Sequence, residues 1–257
     1  MVTKSKACLV GPFIGDLYWE CYRFAPYIIH LKKRYPKTKF IVFTRPQSFD
    51  LYGQYADVFV PLNLRKEKSY TPNCFGLKGF KVVDYKALNS FFIKKYKENY
   101  HIVERVFPDV DVWRYKVKWQ FPRDKMDFDF LPRKSNIKLL RSRVTMKYNI
   151  FIDFDDEEHL GFAKKNSNKY NYISVNWLKD FTSVYGDGVR SSYIGMLIEV
   201  LKRSSFVIGR CDKFASKLGL LLGVSLMSIN DETSWDAISL INPKNTPVIK
   251  CENFSEG

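Results

Sequence analysis

The chain has 257 residues, enough for one large core or two small ones, and its 46% hydrophobic and 27% charged content marks it as globular rather than disordered. No apolar run approaches the ~20 residues that span a bilayer, and the opening Met-Val-Thr-Lys-Ser-Lys lacks a signal-peptide core, so the expectation is a soluble, cytoplasmic protein with no transmembrane segment. A formal charge of +15, from 42 Lys and Arg against 27 Asp and Glu, favours polyanionic partners through counterion release and steering; the alternative is a basic surface with no specific partner.

Residues 7–10 (Ala-Cys-Leu-Val) are a short apolar run that suits a buried strand, and Gly11-Pro12-Phe13-Ile14-Gly15-Asp16 suits a tight loop after it. Leu17, Cys21, Phe24, Ile28 and Leu31 then recur at helical spacing, with Lys32, Lys33 and Arg34 complementing the dipole in the last turn. Pro26 inside this run predicts a kink or a break into two shorter helices. In an open α/β sheet, ligands collect at such a junction of strand, glycine loop and helix. Asp16, where the helix starts, either caps free N–H groups or faces a substrate across the loop. Residues 40–43 predict a second strand, 49–54 a short helical turn, and 57–61 a third strand closed by Pro61, the makings of a nucleotide-binding-type half-domain. Residues 66–81 read as a long loop, and 85–105 as a helix with Leu88, Phe91, Phe92, Tyr96 and Ile102 as its apolar stripe.

The basic part of the chain is 113–147, where Arg114, Lys116, Lys118, Arg123, Lys125, Arg141 and Arg143 are interleaved with Tyr115, Trp119, Phe121, Phe128 and Phe130. Such a mixture either grips a phosphate backbone and stacks on bases, or is a connecting segment with core aromatics and solvated cations. Residues 113–119 alternate as a charged edge strand does. A second αβ series opens with a strand at 149–154, followed by Asp155, Asp156, Glu157 and Glu158, which read as solvated acids or as a metal or acid/base group. A strand at 172–175, a helix at 191–203 and a strand at 206–209 continue it. Cys8, Cys21, Cys74, Cys211 and Cys251 form no C-x-x-C pair and read as reduced thiols, and His30, His101 and His159 are isolated, so nothing here calls for a metal.

After Gly209 the chain runs Arg210-Cys211-Asp212-Lys213-Phe214-Ala215-Ser216-Lys217-Leu218-Gly219 to Gly223 and a strand at 224–228, repeating the first junction with a helix beginning near Asp212. A helix N-terminus offers N–H groups to an anion, and Arg210, Lys213 and Lys217 add charge, so a diphosphate fits there. Residues 192–228 resemble the donor-site region of GT-B glycosyltransferases of the heptosyltransferase-like group, whose pattern is an apolar strand, Gly-x-Asp-Ser-Gly, a histidine, Leu-Ala and a helix-ending glycine. Asp212 stands at the family aspartate and Gly223 at the terminal glycine, while Lys213 and Phe214 replace Ser-Gly and Lys217 replaces the histidine. Gly15-Asp16 resembles the Gly-Asp of the same family's N-terminal loop, where the aspartate serves as base.

The resemblance implies an α/β protein of two Rossmann-like domains facing a cleft, compact and GT-B-like, with an acceptor domain at 1–145 and a nucleotide-sugar-binding domain at 146–257. It implies that Asp16 deprotonates the acceptor hydroxyl and that Gly15, Arg210, Asp212, Lys213 and Lys217 serve the donor and its leaving diphosphate. Glu232, just past the strand ending near residue 229, binds ribose hydroxyls or is a surface acid. The activity implied is metal-independent glycosyl transfer, with a nucleotide-sugar as co-substrate and no cofactor. A small sugar or sugar-lipid acceptor gives no reason for a charge of +15, whereas nucleic acid does. Bacteriophage GT-B enzymes that glycosylate hydroxymethylated bases are similar in being compact and basic. That likeness implies a hydroxymethylpyrimidine in duplex DNA, flipped out toward Asp16 in the host cytoplasm, with Arg114, Lys116, Lys118, Arg123, Lys125, Arg141 and Arg143 on the phosphates. Two rival readings are a cell-envelope polysaccharide glycosyltransferase and a non-catalytic nucleotide- or nucleic-acid-binding protein of the same fold.

Overall fold

The apolar runs near the start of the chain lack the alternation of a half-exposed sheet, and the computed structural model shows the reason: their strands are buried along almost their whole length. Residues 4–13, 17–62, 82–107, 121–133, 149–153, 171–174, 193–229 and 231–251 are described, and the chain divides into two units, Met1–Leu131 and Pro132–Gly257. The expected loop at 66–81, the edge strand at 113–119 and the acids Asp155 to Glu158 lie outside the described residues.

Unit 1 holds strands β1 (Lys6–Val10), β2 (Lys39–Thr44), β3 (Val58–Pro61) and β4 (His101–Val106) in one parallel sheet of order β3-β2-β1-β4. Ala7, Leu9, Ile41, Phe43, Val60, Leu62 and Phe92 form a core on it. Helix α1 (Ala25–Arg34) buries Ile28 and Leu31, and Cys21 and Phe24 precede them in a five-residue π turn, Glu20–Phe24. The break expected at Pro26 is therefore met by a widened turn, so that proline, which has no N–H to give, sits in the first turn of α1.

The helix expected over 85–105 is corrected. Helix α2 (Val82–Lys97) ends at Lys97, and His101–Val106 is strand β4, paired in parallel with β1 from Lys6↔His101 to Val10↔Val106. The turn at Asn99 and Tyr100 stops the helix, and a ladder beside the buried β1 outweighs the helical spacing of Ile102, which instead packs on the core of the sheet.

Unit 2 holds β5 (Asn149–Ile152), β6 (Asn171–Ser174), helix α3 (Tyr193–Arg203), β7 (Ser204–Gly209), helix α4 (Phe214–Leu222), β8 (Ser225–Ile229), helix α5 (Trp235–Ile241) and β9 (Val248–Cys251). The strands are all parallel, in the order β6-β5-β7-β8-β9. Helix α4 starts at Phe214, two residues later than expected, because Lys213 is still extended at ψ 147°. Its end is as read: Gly223 takes a left-handed φ of +86°, and the N–H of Val224 returns to the carbonyl of Gly219 at 2.9 Å.

Candidate functional site

Each sheet has a switch point, where the chain leaves a central strand to one side and later returns to the other, and ligands of open α/β sheets settle outside the strand ends there. In unit 1 it lies between β1 and β4, where the Gly11 N–H donates to the Val106 carbonyl at 2.8 Å. Gly11 is required at this spot: its φ is +84°, and a Cβ would lie 2.2 Å from the Phe43 carbonyl oxygen. The loop then reaches Gly15 and Asp16, which lie outside the described residues.

Just beyond that loop the π turn carries Glu20, fully buried, whose carboxylate accepts four hydrogen bonds. Thr44 Oγ1 and Tyr52 OH donate to Oε1, each at 2.7 Å, and Ser48 Oγ at 2.7 Å and Arg45 Nη2 at 2.6 Å donate to Oε2. Burial, and then the charge of Glu20, push the Tyr52 phenol well above its ordinary range. A carboxylate so fully committed is a brace between the first helical segment and the carboxyl end of β2, not a free base.

In unit 2 the switch point lies between β5 and β7. Asp153 follows β5, and its Oδ2 accepts from both the N–H and the Oγ of Ser216, at 2.9 Å each. The first turn of α4 is thus capped by a carboxylate from a neighbouring strand, not by Asp212. Gly209 makes room for this cap, since a Cβ there would lie 2.2 Å from Ser216 Oγ. Among the described residues nothing accepts from the N–H groups of Phe214 and Ala215, so these two remain the helix's offer to a ligand.

Around that helix start the sequence-predicted residues fall as follows. Arg210 and Asp212 pair with each other, at 3.1 and 3.2 Å, and both side chains are about half exposed. Lys213 occupies the capping position of α4 and is exposed, and Lys217 lies in its first turn, half-buried. Glu232 is exposed in the loop after β8. That loop is tied to the Arg210–Asp212 segment by Asp231, which accepts from the Cys211 N–H and Ser228 Oγ on Oδ2 and from the Thr233 N–H on Oδ1. Burial opposes its ionisation, but the hydrogen bonds from Ser228, Thr233 and Cys211 prevail and hold it well below the usual carboxylate range. Burial, with Asp231 alongside, pushes the Cys211 thiol up to about 11, so it stays protonated and is no nucleophile at neutral pH.

The basic segment is described only in part. Arg123 and Lys125 are exposed on the short turn Arg123–Lys125, while Phe121 and Phe130 are buried in the core of unit 1. Arg114, Lys116, Lys118, Arg141 and Arg143 lie outside the described residues. No group of His, Cys, Asp and Glu that would hold a metal occurs among the described residues, and no helix among them is long and apolar enough to cross a membrane.

Three site features escaped the sequence reading. Asp153 and Asp231 look like any acid at a strand end until the topology is known. Trp235, the first residue of α5, is 58% exposed at the same carboxyl edge of the sheet, with Lys250 Nζ 5.1 Å from its ring centroid. An exposed tryptophan beside a strand end was available as a signal.

No family model matches the chain, and no curated protein matches it. Among solved structures, that of a glycosyl transferase family 9 protein from Veillonella parvula matches 100% of this chain and 89% of its own, with a TM-score of 0.53 at 11% identity. The structure of E. coli heptosyltransferase WaaC with ADP matches 96% of this chain and 93% of its own, with a TM-score of 0.47 at 11% identity. The first of these likenesses establishes the fold: the chain is an α/β protein of two parallel-sheet units, GT-B-like from end to end.

Proposed function

We propose that the chain is a glycosyltransferase that uses a nucleotide-sugar, with unit 2 taking the donor and unit 1 the acceptor. The observation that carries this reading is the likeness of the whole chain to the family 9 glycosyl transferase structure, and the cation-bearing start of α4 at a switch point agrees with it. In this reading the donor diphosphate takes the N–H groups of Phe214 and Ala215 together with Arg210, Lys213 and Lys217, and Asp212 fixes the guanidinium of Arg210. Glu232 binds the ribose hydroxyls, and Trp235 offers a face to the base. Asp16 removes the proton of the acceptor hydroxyl as its oxygen bonds to the anomeric carbon. The bond from that carbon to the diphosphate breaks, and the electron pair leaves on the diphosphate, where the cations and N–H groups stabilise it.

The acceptor proposed is anionic, on the strength of the +15 charge. Duplex DNA carrying hydroxymethylpyrimidine and an anionic envelope saccharide are the two acceptors to offer in the transfer assay. The first experiment is thermal melting of the full chain with UDP-, GDP-, CMP- and ADP-linked sugars. A donor present at a hundredfold excess over its Kd stabilises by about 2.7 kcal/mol. Asp16→Asn keeps that rise and loses transfer by about a hundredfold or more. If no nucleotide-sugar raises the melting temperature and none is hydrolysed or transferred, the reading falls.

A further inference from the structure

A parallel sheet sorts its ends: the strands start on one edge, and the helices that return the chain to them finish there. In unit 1 that amino edge collects the starts of β1 at Lys6, β2 at Lys39 and β4 at His101, with α1 ending at Arg34 and α2 at Lys97. Six cations are exposed along it: Lys4, Lys6, Arg34, Lys37, Lys39 and Lys97. Side-chain and backbone contacts join these stretches of chain into one surface. Lys4 Nζ donates to the Lys97 carbonyl at 3.4 Å, the His101 N–H donates to the Ser5 carbonyl at 3.0 Å, and Lys39 Nζ stands 5.7 Å from the Tyr100 ring centroid.

Among the described residues none of the six is in an ion pair. Their neighbours in α1 differ: Lys32 meets Asp57 at 2.7 Å, and Lys33 meets Asp127 and Asp129 at 2.8 and 3.1 Å. Asp57, just before β3, also accepts from the Phe40 N–H. Within residues 4–6, 34–39 and 97–101 the only acid is Glu98. Complementing a helix dipole accounts for Arg34 and Lys97 in their last turns, but not for Lys4, Lys6, Lys37 and Lys39, which lie outside the helices. Like charges gathered without counter-charges raise a positive potential that draws anions. Tyr35 stands among them, 43% exposed, with the Arg34 guanidinium carbon 5.5 Å from its ring centroid.

Two further observations select the anion. Five of the six cations are lysines, compact point charges without the fork that a guanidinium brings to the phosphates and bases of nucleic acid. A layer of lipid headgroups asks only for charge, and a tyrosine, with its apolar ring and polar tip, suits headgroup depth. The patch is also remote from the strand ends where a substrate would settle, because five residues of extended chain, about 16 Å, separate Lys6 from Gly11. It is therefore placed to hold the protein to something, not to present an acceptor.

We propose that this amino edge of unit 1 docks on an anionic lipid surface, its lysines on the headgroups and the Tyr35 ring at headgroup depth. The attachment is peripheral and reversible, because it draws on charge and one ring and not on an inserted apolar face. It stands apart from the sugar-transfer reading, and its test uses no nucleotide-sugar, so either can fail alone.

The experiment is co-sedimentation of the full chain with vesicles of phosphatidylcholine alone and of equal parts phosphatidylcholine and phosphatidylglycerol, at about 0.1 M salt. The expected result is saturable binding to the anionic vesicles only, released as salt is raised. Lys37→Gln with Lys39→Gln lowers the partition at least tenfold. Lys202→Gln with Lys244→Gln, which removes the same charge from exposed positions on unit 2, changes it less than twofold. Tyr35→Ala weakens binding several-fold and leaves its salt dependence as in the parent. If the Lys37 and Lys39 double variant fails to fold, Lys4→Gln with Lys97→Gln takes its place with the same loss expected. Equal binding to both vesicles, none to either, or equal losses in the two double variants overturns the proposal. So does a parent that ignores vesicles while binding a duplex DNA fragment through Lys37 and Lys39, since the partner is then nucleic acid.

Discussion

At the scale of single residues, two carboxylates hold loops in place and one aromatic ring waits on the surface. Glu20→Gln removes the charge that Arg45 meets and turns an amide toward groups that also donate, so urea denaturation at pH 7 is expected to show a loss of about 3 kcal/mol. Asp231 binds its proton less readily folded than unfolded. Its bonds therefore stabilise the protein above an unfolded pKa of about 4, and the benefit fades as pH falls from there toward the lower folded value. Asp231→Asn is expected to lower the urea midpoint at neutral pH, with the gap to the parent narrowing by about pH 3. Trp235→Ala is expected to leave that midpoint where it is, because the ring is mostly exposed, and to weaken a nucleotide-sugar about tenfold in the melting titration.

At the scale of elements, the start of α4 is the most tightly specified junction. Gly209→Ala drives a methyl group into Ser216 Oγ and is expected to cost about 2 kcal/mol. Ser216→Ala alone loses one hydrogen bond, at about 1 kcal/mol, and the double variant is expected to lose less than the sum, because the clash and the bond share an atom. Much of this unit was legible beforehand. Gly223 ended the helix, and the strands before and after α4 were found from their apolar runs, because both signals are local. The cap was not legible, since Asp153 and Ser216 are separated by 63 positions and only the parallel pairing of β5 with β7 unites them. Strand β4 was missed for the same kind of reason: its identity is conferred by β1, more than ninety residues earlier in the chain. Strand β9 and helix α5 carry weak local patterns, and a partner edge on β8 is what makes residues Val248–Cys251 a strand.

At the scale of the whole molecule, the +15 charge is the property most open to direct measurement. Binding to a duplex DNA or heparin probe, followed by fluorescence anisotropy, is expected to fall by tenfold or more between about 50 and 200 mM salt; a flat response removes the polyanion from the account of the acceptor. The two-unit division also explains why the motifs read from sequence came as a pair, one glycine-bounded junction for each sheet. A last consequence concerns the tail. Strand β9 closes one side of the second sheet, and from it Lys250 reaches the backbone carbonyls of Asp231 and Thr233. A polypeptide stopped after Pro247 forfeits both services at once: β8 becomes a bare, sticky border inviting other copies to pair, and the nearby turn that bears Glu232 loses its tether. Affinity handles and reporter fusions are therefore better placed where they leave Val248–Cys251 intact.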